Sequence, residues 1–115
     1  MSASTIDLAT FGQLKETTGT EFVVELVDTF LEEAPRMLED LRKALAARDA
    51  DKFRRAAHSL KSNGNTFGAL RFGAMARELE LSGVESALAT KPDPVAALAQ
   101  EYALVKAALM DLRHA

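Results

Sequence analysis

Cysteine and tryptophan are absent from this chain of 115 residues, and proline and glycine are sparse, at three and six copies. Without cysteine there is no thiol nucleophile, no disulfide and no thiolate metal site. A single domain of this length buries enough apolar surface to fold without such staples. Long hydrophobic runs are missing too. The longest uninterrupted apolar stretch is short, as in Val95 to Ala99, so no transmembrane segment fits. Nothing ahead of Lys15, the first basic residue, joins a basic flank to a hydrophobic run, so no signal peptide is visible and a cytoplasmic address is expected. There is no excess of basic charge either. Fourteen Lys and Arg against seventeen Asp and Glu leave a net charge of -3, which with a single Tyr argues against nucleic acid as a partner.

What the chain does have is apolar residues, 48% of the total, recurring at helical rather than alternating spacing. After a polar tail at 1–5, Asp7 can cap a short helix with Leu8, Phe11 and Leu14 on one side, ending near Thr18 and Gly19. From Thr20 to about Arg48, the residues Val23, Leu26, Val27, Phe30, Ala34, Met37, Leu38, Leu41 and Leu45 fall close to one stripe, with Pro35 predicting a kink inside a single helix. Asp49 and Asp51 both offer caps for a third helix, whose inner face reads Phe53, Ala56, Ala57, Leu60, Gly64 and Phe67. A fourth carries Ala69, Phe72, Met75, Ala76 and Leu79 inward and is expected to end near Ser82 and Gly83, with Val84 to Lys91 as a linker. Asp93 and Pro94 open a last helix bearing Leu98, Tyr102, Val105, Leu109 and Leu112. The expected fold is all-α: one domain over residues 1–115, an antiparallel four-helix bundle with a short additional N-terminal helix laid across one end.

The third helix has an unusual outer face: Asp51, Arg54, Arg55, His58, Lys61, Ser62 and Asn65. Of the two histidines in the chain, His114 reads as a solvated tail residue. His58 stands mid-helix, with Lys61 one turn further on, roughly 5–6 Å away at the Cβ level, where it could pair with a negative group carried by the imidazole. Arg54 and Arg55 occupy the N-terminal half of the helix, where the dipole disfavours cations, and read either as solvated or as residues that meet a partner. Three glycines between Gly64 and Gly73 each cost about 1 kcal/mol in a helix interior. Such a cost points to close packing, which we assign to Gly64, Gly68 and Ala69 beneath the histidine. A neutral imidazole is a competent nucleophile at pH 7. No carboxylate precedes His58 by one turn, so the paired metal ligands of di-iron bundles are missing and no metal site is expected. Ser59 and Ser62 have no orienting acid among their helical neighbours, and no glycine-rich phosphate loop is present. The chemistry that remains is acceptance of a phosphoryl group on His58, with Lys61 stabilising the oxygens. Alignment and charge neutralisation dominate such transfers, and a partner could bring the metal and the acid.

The run Ala56-Ala57-His58-Ser59-Leu60-Lys61-Ser62-Asn63-Gly64-Asn65-Thr66-Phe67-Gly68-Ala69 resembles the signature of the histidine-containing phosphotransfer (HPt) domain of two-component phosphorelays. Phe30-Leu31-Glu32-Glu33-Ala34-Pro35, followed by Leu38 and Leu41, is similar to the family's preceding helix, and Arg77-Glu78-Leu79-Glu80 to its following one. The resemblance implies a helical bundle whose histidine takes a phosphoryl group from an aspartyl phosphate on a response-regulator receiver domain and passes it to another receiver. A hybrid histidine kinase stands upstream, the expected Mg²⁺ is on the receiver, and this chain binds no cofactor and has no kinase activity of its own. A monomer is expected. Ser62 departs from the glycine often found after the motif lysine, and Asn63 and Gly64 replace commoner serine or alanine residues. Ser62 and Asn65 would leave the face low enough for a partner to dock. The alternative reading is a non-phosphorylated helical module that binds a receiver or another regulator.

Overall fold

The computed structural model describes residues 5–113, so His114 and all of the polar tail but Thr5 lie outside the described residues. Five helices follow in order: α1 (Leu8–Thr18), α2 (Thr20–Ala47), α3 (Ala50–Thr66), α4 (Leu70–Ala89) and α5 (Pro94–Arg113). Local chemistry sets their ends. The Asp7 carboxylate accepts from the backbone N–H of Thr10 at 3.2 Å and starts α1. Gly19, at φ +94°, separates α1 from α2. Of the two candidate caps for α3 it is Asp49 that serves, accepting from Lys52 N–H at 3.1 Å. Asp93 accepts from Val95 N–H at 2.9 Å and opens α5 behind Pro94.

α2 touches α3 and α5, and α4 also touches both, which closes a ring of four helices, while α1 packs on α2 and α3. Consecutive helices of the ring are joined by short turns and therefore run antiparallel, as in an up-and-down bundle. Phe30 of α2 stands at the centre of the core. Its ring lies 5.3 Å from Phe67, 6.4 Å from Phe72 and 6.0 Å from Tyr102, centroid to centroid. One aromatic cluster thus ties α2, the α3–α4 turn, α4 and α5 together, each ring pair adding about 0.5–1.5 kcal/mol beyond its buried area.

α2 runs through Pro35 as one helix of 28 residues. Proline has no N–H to give the carbonyl four residues back, which leaves Leu31 O without its helical donor. The Tyr102 hydroxyl of α5 donates to that oxygen at 3.3 Å, and burial pushes the Tyr102 phenol up from its ordinary pKa, keeping it a neutral donor.

Two readings of the sequence change here. Val84 to Lys91 is not a linker. Gly83 adopts φ +83° and ψ -179°, which only glycine tolerates well, and the helix resumes at once to Ala89 because Val84 and Ala87 bury their side chains. Gly68 serves a different contact from the one expected. It sits in the turn at φ +86°, and a Cβ there would stand 2.7 Å from the Asp7 carbonyl, so its smallness admits the N-terminal segment rather than α4. Asp7 N–H donates to Gly68 O at 2.8 Å across the same contact. The core also takes in Ile6, 3% exposed, just beyond the polar tail.

Candidate functional site

The site is built on the α3–α4 hairpin, the most extensive helix contact in the molecule. Gly64 is buried, and a Cβ on it would lie 2.6 Å from the ring of Phe72, which is itself fully buried. Gly73 admits the Asn65 side chain so closely that a Cβ would meet its Oδ1 at 1.9 Å. Ala57, Ala69 and Ala76, all 0% exposed, complete the small-residue seam. Asn65 faces Gly73, so in an antiparallel pair the residues one heptad away in opposite directions, His58 and Glu80, face each other as well.

That register produces the central feature. The Glu80 carboxylate reaches from α4 to two residues of α3, placing Oε2 2.8 Å from His58 Nδ1 and Oε1 2.9 Å from Lys61 Nζ. The side chain of Glu80 is 15% exposed, that of Lys61 22% and that of His58 55%. Oε1 makes no hydrogen bond of standard geometry and has the Lys61 ammonium as its ion-pair partner. The Lys61 contact, then the His58 contact, hold the Glu80 carboxyl below its ordinary pKa against the opposing effect of burial. An ionised carboxylate can only accept, so His58 Nδ1 carries the proton and donates it to Oε2. Nε2 is then the nitrogen with the free lone pair, and among the described residues it makes no hydrogen bond.

Glu80 is the residue that sequence reasoning missed as a member of the site. Spacing along one helix reveals only the helical neighbours of His58, whereas this acid comes from the next helix. Folding the α3–α4 hairpin about Gly68 would have brought residue 80 opposite residue 58. Lys61 lies on the same face as the histidine, as its spacing requires, but its partner is Glu80. Arg54 and Arg55 stand one turn before His58 and both pair with Asp51, each at 2.9 Å, which explains cations so near the N-terminus of a helix. Ser62 is exposed beside Lys61. Asn65 is exposed as a residue, and its side-chain amide packs against Gly73. No group of three or more His, Asp or Glu side chains among the described residues could hold a metal, and no helix there is long and apolar enough to cross a membrane.

A small-residue seam between two helices, presenting an exposed imidazole with a cation one turn on, is the arrangement of a phosphotransfer bundle. The Hpt domain pattern matches residues 25–110, and the chain belongs to that family. Its role is histidine phosphotransfer in phosphorelays, and Hpt proteins are phosphocarriers that meet receiver domains and histidine kinases. Among solved structures it is similar to histidine-containing phosphotransfer protein B from Pseudomonas aeruginosa, with 29% identity, a TM-score of 0.87, and coverage of 98% of this chain and 97% of that one. A search of curated proteins gave no match.

Proposed function

We propose that His58 is the phosphoacceptor, taking a phosphoryl group through Nε2 from an aspartyl phosphate on a receiver domain and returning it to the aspartate of another. The observation that carries this reading is the half-exposed imidazole whose Nδ1 is engaged by Glu80 while Nε2 faces no protein partner among the described residues. Transfer of this kind needs alignment and charge neutralisation more than covalent help from the carrier. Lys61 supplies the neutralising cation from this chain. The Mg²⁺ and the acidic residue come from the receiver, so the chain binds no cofactor and is a reactant rather than a kinase. Arg54, Arg55, Ser62 and Asn65 border the imidazole on α3 and form the face on which the receiver docks.

The test is incubation with a phosphorylated receiver and Mg²⁺, followed by assay for acid-labile, base-stable phosphate on the chain. His58→Gln keeps its helical circular dichroism, because an exposed side chain leaves no cavity, and takes no label. Lys61→Ala folds and slows transfer on the order of ten- to a thousandfold in rapid-quench kinetics. Labelling of His58→Gln at the wild-type level would remove His58 from this role.

A further inference from the structure

We infer that Asp51 limits how long a receiver stays docked, because it competes with the receiver's carboxylates for Arg54 and Arg55. The two guanidiniums that capture a partner thus have a place on this chain to return to. The inference rests on His58 being the phosphoacceptor, with docking at its face, and adds the residue that keeps the docking brief.

The distribution of charge points to the kind of partner. The chain as a whole has a net charge of -3, yet α3 carries Lys52, Arg54, Arg55 and Lys61 against the single carboxylate of Asp51. Arg55 also lines the groove between α2 and α3, together with Lys43 and Lys52, and neither lysine forms an ion pair among the described residues. Two acids, Asp40 and Asp49, share that groove, and Asp49 is committed to the cap of α3. Transfer to His58 brings up the aspartate of a receiver and the acid that holds its Mg²⁺. A surface of that kind is acidic, and a basic helix on an acidic protein is complementary to it.

Local geometry supplies the competitor. Arg54 Nη2 donates to Asp51 Oδ1 at 2.9 Å, and Arg55 Nη2 stands 2.9 Å from Oδ2, so each oxygen of the carboxylate holds one guanidinium. Asp51 lies three and four residues ahead of the arginines, on the side away from His58, and draws both groups back along the helix. Because Asp49 makes the cap, the Asp51 carboxylate is free for this task. All three side chains are more than half exposed, and ion pairs of this kind within one helix are weak. A carboxylate on the partner can therefore displace Asp51 at little cost. When the partner leaves, the arginines close on Asp51 again, which lowers the free energy of the undocked state and opposes the complex without touching the reacting atoms. A carrier must leave one receiver before it meets the next, and a long-lived complex would block the second transfer.

Binding of an unphosphorylated receiver domain to the full chain, measured by stopped-flow fluorescence and calorimetry, tests the competition. Asp51→Asn is expected to bind about three- to tenfold more tightly at low ionic strength, with slower dissociation, and to match the wild type in high salt, where the charges are screened. Circular dichroism checks that α3 is intact in each variant. Asp111→Asn removes the same charge from an exposed position on α5, a helix that does not pack on α3, and is expected to leave the affinity within about twofold of the wild type. In a chain that carries Arg54→Gln and Arg55→Gln, Asp51→Asn is expected to do no more than that control, as a double-mutant cycle requires of residues that act together. Equal affinity and dissociation rate for the wild type and Asp51→Asn overturn the inference. So does an equal gain in Asp111→Asn, or a gain that survives the loss of both arginines. With a wild type that takes phosphate label, any of these results removes this inference alone, whereas a wild type that takes no label overturns the phosphoacceptor reading and this one with it.

Discussion

Single atoms decide much of this site. Gly64 is the sharpest case, because the ring that a methyl group would strike, Phe72, is fully buried and has nowhere to go. Gly64→Ala gains about 1 kcal/mol of helix propensity and loses more to overpacking, for a net destabilisation of about 1–2 kcal/mol. Gly12, in the middle of α1, has nothing within 4 Å of a built Cβ, so Gly12→Ala stabilises by up to about 1 kcal/mol. Urea denaturation of the two variants beside the wild type checks both signs. Glu80 adds a pH dependence. Its carboxyl is held below the ordinary value of 4.5 by Lys61 first and His58 second, so the folded chain resists its protonation. The stability this contributes is complete above the unfolded-state pKa and is lost as pH falls through the depressed folded value. The stability difference between the wild type and Glu80→Gln is therefore expected to narrow below about pH 4.5, seen in thermal melts recorded from neutral pH downward.

At the scale of helices, the telling case is a proline that breaks nothing. Pro35 stays inside α2 because α5 repairs the damage, with the Tyr102 hydroxyl supplying the donor that Leu31 O lacks. Tyr102→Phe is expected to cost about 0.5–1.5 kcal/mol, the net worth of one hydrogen bond. In a Pro35→Ala background the restored N–H can satisfy Leu31 O, so the same substitution costs close to nothing. A double-mutant cycle by chemical denaturation reads that coupling, and purely additive costs would show that the two residues act independently. Gly83 plays the opposite part in α4. Its positive φ turns the helix without ending it, and Val84 and Ala87 reach the core on the far side of the bend.

Across the whole molecule, the bundle buries its aromatic rings and leaves His58 on an exposed face of α3. On the face around His58, Ser62 is a small, exposed residue directly after Lys61. Reacting atoms must come within about 3–3.5 Å for transfer, so bulk beside the imidazole is costly. Ser62→Trp is expected to weaken binding of an unphosphorylated receiver and to slow transfer, while Ser62→Gly preserves both. Calorimetric titration of the variants decides it, and equal affinity for the wild type and Ser62→Trp would take this face out of the interface. The ends of the bundle are tied by solvent-exposed pairs, Arg113 to Asp28 at 2.6 Å and Arg42 to Asp93 at 3.3 Å, which water screens, so packing rather than ion pairing holds the platform rigid.

Helix number, the inner faces of the four long helices and the outward histidine with its lysine were legible from residue order, because each depends on spacing within one helix, where 3.6 residues per turn fixes which side chains share a face; on α1 the same spacing misplaced Leu8, which is 62% exposed. The motif around His58 was equally local, running unbroken from Ala56 to Ala69. Contacts between elements were not legible in this way. The carboxylate that orients His58 stands 22 residues away, and it reaches the ring only through the antiparallel register of α3 and α4. The donor that rescues Leu31 O is 71 residues away on another helix. Gly68 looked like a helix-packing glycine until the turn brought Asp7 against it, and Val84 to Ala89 looked like a linker until the core gave Val84 and Ala87 a surface to bury. Periodicity tells which face of a helix is apolar; which residue of a second helix arrives opposite a given one is decided by turn geometry and by the small residues that let two helices approach, and those act only once the chain has folded.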